Sequence, residues 1–84
     1  MASVNTNEDV EKAAKKAAEA LYGTDITDFK VRVVFPFPSD HKRDSWDVQV
    51  TFLSNGAQYT VDLMIDERNG QITNTRLIDK MTPL

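Results

Sequence analysis

Small and apolar residues at Val10, Ala13, Ala14, Ala17, Ala18 and Leu21 recur every three or four positions, the spacing that gathers side chains on one face of an α-helix. The opposite face carries Glu8, Glu11, Lys12, Lys15, Lys16 and Glu19. Glu8–Lys12 and Glu11–Lys15 stand four apart in the favourable order, each adding about 0.2–0.5 kcal/mol, and Lys15–Glu19 has the reversed order. Acids cluster early, where the helix dipole prefers them. Thr6 is placed to cap the first turn, with Asp9 at the third helical position, and Gly23 to stop the last turn, so a helix is expected over about residues 7–22. Its buried stripe is mostly alanine, leaving Val10, Leu21 and Tyr22 as the larger expected contacts.

Beyond Gly23-Thr24-Asp25 the period changes to two. Phe29, Val31, Val33, Phe35 and Phe37 alternate with Lys30, Arg32 and Val34, which predicts a strand over about 28–36 with the phenylalanines facing the core. Pro36 to Ser45 is rich in turn formers and charge and reads as a long exposed hairpin loop. Trp46, Val48, Val50 and Phe52 alternate with Asp47, Gln49 and Thr51 over a strand at about 45–53. Asn55-Gly56 signals a tight hairpin into a strand over about 57–66, with Tyr59, Val61, Leu63 and Ile65 on one side and Thr60, Asp62 and Met64 on the other. Asn69-Gly70 repeats the device before a last strand over about 71–78, whose alternation is weak: Thr73, Thr75 and Leu77 against Ile72, Asn74, Arg76 and Ile78. The expected fold is α+β, one N-terminal helix packed on a four-stranded antiparallel meander in a single domain over 1–84, with no internal repeat. Phe29, Phe35, Trp46, Phe52 and Tyr59 are the expected bulk of its core.

Eighty-four residues leave room for one core, and 40% hydrophobic with 27% charged residues excludes a disordered tail or a low-complexity linker. The absence of cysteine excludes disulfides, thiolate zinc sites, iron–sulfur clusters and cysteine nucleophiles, and it leaves the redox compartment unreadable. A formal charge of -3 repels phosphate backbones and anionic membranes, so neither nucleic acid nor membrane is an expected partner. The longest apolar runs, Val33-Val34-Phe35 and Leu63-Met64-Ile65, fall far short of the roughly 20 residues that span a bilayer. Met1 to Asn7 is polar and carries no secretory signal, which for the chain as it stands predicts a soluble, cytoplasmic protein.

The run Trp46-Asp47-Val48-Gln49-Val50, the Asn55-Gly56 hairpin, Tyr59-Thr60-Val61 and Ile65-Asp66-Glu67-Arg68-Asn69-Gly70-Gln71-Ile72, all preceded by an Ala-rich helix, resemble a PepSY domain. The resemblance covers roughly residues 8 to 78, and the long Pro36 to Ser45 segment departs from that pattern. It implies a non-enzymatic regulatory or binding module, in some members of the family acting on peptidases. The same order of elements is similar to the gas vesicle protein O family, which implies an assembly accessory acting by oligomerisation.

Candidate chemistry is sparse. His41, the sole histidine, lies in Asp40-His41-Lys42-Arg43-Asp44, where flanking acids can orient an imidazole, but a loop gives Ser39 and Ser45 no rigid support as nucleophiles. Asp66-Glu67-Arg68-Asn69-Gly70 lacks the ligand spacing and distal Glu of a calcium loop. No catalytic residue, cofactor or metal is therefore expected. The sheet face away from the helix is expected to show Lys30 and Arg32 with the apolar residues Val34, Met64 and Leu77, a patch rimmed by polar groups of the kind that marks a partner surface. His41, Lys42 and Arg43 in the loop complete the candidate partner-binding set. Stacking on single-stranded nucleic acid needs aromatics on that face, whereas the alternation sends them all to the core. A protease-inhibitor-like role of the cystatin type would need a Gln-x-Val-x-Gly hairpin, and Gln49-Val50-Thr51 lies within a strand instead. A protein-binding module, monomeric or weakly homodimeric, is what remains.

Overall fold

A computed structural model describes residues 3–82. Helix α1 (Asn7–Tyr22) is followed by β1 (Thr27–Phe37), β2 (Ser45–Ser54), β3 (Ala57–Asp66) and β4 (Ile72–Met81). The strands pair in chain order, each antiparallel to the next, so the α+β meander expected from the sequence is the fold. The helix occupies the expected residues because both ends are capped. Thr6 Oγ1 accepts from the Asp9 N–H at 3.1 Å, and the Gly23 N–H donates to the Glu19 carbonyl at 2.9 Å. Asn55 and Gly56 both take positive φ, 53° and 80°, as a two-residue hairpin turn of the type that matches strand twist requires.

The core lies between α1 and the middle of the sheet. Val10, Ala14, Ala17 and Ala18 are buried against Val48, Val50 and Phe52 of β2 and Val61, Leu63 and Ile65 of β3. Alanine on the helix lets the backbone approach the sheet closely, so bulk comes from the strands. At the helix C-terminus Tyr22, Phe52 and Tyr59 form an aromatic triangle with ring centroids 5.0, 5.2 and 5.5 Å apart. Leu21, expected as a core contact, is exposed, and α1 packs chiefly against β1, β2 and β3.

The edge strands depart from the sequence pattern. In β1 the pairing with β2 slips by one residue between Thr27 and Lys30, where Asp28 takes φ 56°, and again between Val31 and Val33. Each extra residue inverts every side chain that follows. Val34 therefore stands opposite Val48 and packs against the core, while Phe35 and Phe37 stand opposite Asp47 and Ser45 on the face away from the helix. They are 60% and 46% exposed, the reverse of the expected placement. In β4 the pairing slips between Met64 and Ile65 and between Thr60 and Val61. Leu77 is thereby opposite buried Val61, on the helix side, and shares no face with Met64. The two slips lengthen β4 to Met81, past the expected end at residue 78.

One end of the molecule is tied by residues far apart in sequence. The Val4 N–H donates to the Glu67 carbonyl at 2.7 Å, and Trp46 Nε1–H donates to the Val4 carbonyl at 2.9 Å. Val4 itself is buried in this polar N-terminal stretch. A Cβ on Gly70 would come within 3.2 Å of Val4 Cγ2, so glycine keeps the β3–β4 turn close to the N-terminal segment.

Candidate functional site

The face away from α1 is organised in rows by strand register. Phe35, Asp47, Met64 and Asn74 form one row, and Val33, Gln49, Asp62 and Arg76 the next. Lys30, Thr51, Thr60 and Asp79 form a third. The β1 corner carries the rings of Phe35 and Phe37 beside half-buried Val33, and half-buried Met64 lies farther along the Phe35 row, across Asp47. Next to it lie two carboxyls in adjacent rows on neighbouring strands. Partial burial, then the hydrogen bond and the charge of Asp47, push the Asp62 carboxyl up to about 6, against a lowering by Arg76. Asp47 Oδ1 is buried with no hydrogen-bond partner. Burial is the largest of the causes acting on Asp62, and the neighbouring Asp47 adds to it.

The hollow bounded by Val33, Phe35, Asp47, Gln49 and Asp62 has a volume of about 100 Å³. It is smaller than the roughly 300 Å³ at which small-molecule pockets begin, so this face suits a surface contact. On the other side of the sheet, a shallow groove of about 560 Å³ runs between α1 and the β3–β4 turn, floored by Val4, Ala13, Ala17 and Ile72. Its charged lining residues, Asp9, Lys12 and Lys16, all belong to the helix. Among the described residues no group of three His, Asp or Glu is placed to hold a metal ion, and no helix is long and apolar enough to cross a membrane.

The structure divides the residues expected to bind a partner. Lys30 is exposed on the open face, 3.9 Å from Asp28, and Met64 is half-buried there in the Phe35 row. Arg32 is the extra residue of the second β1 slip and is exposed. Val34 and Leu77 are not on the open face, because the strand slips turn Val34 against the core and Leu77 to the helix side. His41 and Lys42 are exposed in the loop, where the Lys42 N–H donates to Ser39 Oγ at 3.2 Å. Arg43 is instead turned inward: its guanidinium lies 4.4 Å from the Trp46 ring centroid and pairs with Glu67. The pairing holds the Glu67 carboxyl below its usual range and raises Arg43. Arg43 thus ties the loop to the β3–β4 turn, aided by the Glu67 N–H donating to the Asp44 carbonyl at 3.0 Å.

Phe35 and Phe37 are the surface residues that sequence pattern missed, since unbroken alternation assigns them to the core. Asp47 and Asp62 were both placed on the open face by alternation, and the register imposed by Asn55-Gly56 is the signal that brings them together. No protein-family model, curated protein or solved structure matches the chain.

Proposed function

We propose that this chain is a non-enzymatic binding module that engages a protein partner through the β1 corner of the open sheet face, centred on Phe35, Phe37 and Met64. One observation carries the reading: two phenyl rings held on a regular strand stand out in solvent, 60% and 46% exposed, in a domain with little core to spare. Covering what remains exposed of one such ring is worth about 1 kcal/mol, so the two rings together supply the apolar centre of an interface. The neighbouring Asp47 and Asp62 suit a partner that brings a basic side chain beside an apolar one, and the acids disfavour a phosphate backbone despite the exposed rings. The PepSY-like resemblance supports the same class of function.

Affinity capture from the source cell lysate with the native protein and with the double variant Phe35→Ser/Phe37→Ser tests the proposal. Both rings are exposed, so the variant is expected to keep its fold by circular dichroism and to lose the captured protein. Undiminished capture by a folded variant sinks this choice of surface.

A further inference from the structure

We propose that a second copy of this chain pairs antiparallel along the free edge of β4, about a two-fold axis passing between Leu77 and Ile78. The two sheet edges differ in how they are protected. Edge strand β1 contains Pro36, which has no N–H to offer, and exposed Lys30 and Arg32. Edge strand β4 has ten residues without proline; it carries exposed Arg76, Asp79 and Lys80, and Leu77, Ile78 and Met81 are 49%, 44% and 60% exposed. A bulge ordinarily blunts an edge. Here its position makes the strand self-complementary.

In a two-fold antiparallel pair, residues opposite each other must lie on the same side of the joined sheet. A regular strand meets that condition only when the axis passes through a residue. In β4 the extra residue Ile78, between Leu77 opposite Val61 and Asp79 opposite Thr60, inverts the alternation halfway along. An axis between Leu77 and Ile78 then sets Arg76 opposite Asp79 of the second copy, both on the open side, and Thr75 opposite its Lys80, both on the helix side. The other axis in phase across the bulge, between Ile78 and Asp79, sets Leu77 opposite Lys80 and Arg76 opposite Met81 and forms no charge pair, so charge selects the axis between Leu77 and Ile78. The charges agree with this register: Arg76 meets Asp79 twice, once in each direction, and neither has an ion-pair partner within one chain among the described residues. The joined sheet carries both α1 helices on one side, with the apolar pair Leu77 and Ile78 at its centre. The paired segment is well under the roughly 20–30 residues per side of a standard interface, so association is expected to be weak and reversible.

A sedimentation-velocity concentration series from micromolar to millimolar tests the pairing on the full chain. The native protein is expected to shift from monomer to dimer. Arg76→Asp and Asp79→Arg, each alone, set like charges opposite one another and are expected to weaken the dimer at least tenfold. An equimolar mixture of the two restores both charge pairs and is expected to recover it. Circular dichroism and a thermal scan establish that each variant is folded, and Leu77→Lys, an exposed position, serves if either is not. A native chain that stays monomeric throughout overturns the proposal. So does a dimer that ignores the charge changes and dissociates on Phe35→Ser/Phe37→Ser, which assigns self-association to the open face instead. Because the β4 rim and the Phe35 corner lie at opposite edges of the sheet, loss of one interaction leaves the other measurable.

Discussion

The two central strands and the two edge strands of this sheet follow different rules of pairing. Strands β2 and β3 pair residue for residue from Ser45–Asp66 to Ser54–Ala57 without a break. Strands β1 and β4 each slip twice against their neighbours. A central strand is held from both sides and buries one face under α1, so a slip there would drive Val48, Val50 or Leu63 into water. An edge strand is held from one side only, and an extra residue is accommodated with fewer contacts at stake. The edges therefore carry the unexpected surfaces: the Phe35 corner on β1 and the proline-free rim of β4.

That contrast predicts opposite mutational costs for large apolar residues. Phe52→Ala, in the centre of the core and inside the aromatic triangle, is expected to lower stability by about 3–5 kcal/mol in chemical denaturation. Leu77→Ala on the uncovered edge is expected to change it by less than about 0.5 kcal/mol in dilute protein. Equal costs would mean that β4 is covered in the monomer.

A second expected effect depends on pH. Asp62 has a folded pKa of about 6 against an ordinary 3.8, so between these values the folded chain binds more protons than the unfolded one. Its contribution to stability is thus fully present below about 3.8 and is lost as pH rises through about 6. Asp9, Asp66 and Glu67 have lowered values, so their contributions are present above the usual carboxylate range and disappear as pH falls through it. The melting temperature of the native chain is expected to rise on acidification from neutral pH and to fall again in stronger acid. Asp62→Asn is expected to remove the rise and retain the acid loss. A variant with the native profile would place the coupling elsewhere.

The smallest expected effect is the most diagnostic of the bulge. Deleting Arg32 removes the extra residue while leaving Val31, Val33, Val34 and Phe35 in a plain alternation that keeps their observed faces. The shortened chain is expected to fold with stability near native. Collapse on deletion would show that the bulge is needed for the strand to form.

The helix was legible because its signals are local: Thr6, the alanine spacing and Gly23 fix both ends within one element. The β2–β3 hairpin was legible for a similar reason, since Asn55-Gly56 sets its register and Trp46, Val48, Val50 and Phe52 name its buried face. The slips at Arg32 and Ile78 were not, because neither is a glycine, and the adjacent apolar residues Val33-Val34 and Leu77-Ile78 that accompany them are compatible with either face. Val4 and Arg43 were hidden for another reason. Their partners, Trp46 and Glu67, are distant in sequence, so only the closed fold shows that a residue in a polar tail is core and that a loop cation is a tether.

The central claim is that β1 turns Val34 inward and Phe35 outward, and one paired substitution addresses it directly. Thermal unfolding of Val34→Asp and Phe35→Asp should differ sharply: a carboxylate beside Val48 is expected to unfold or strongly destabilise the chain, and one at exposed position 35 to leave its melting temperature close to native. The reverse order, a tolerated Val34→Asp and a disruptive Phe35→Asp, would contradict the account and return the phenylalanines to the core.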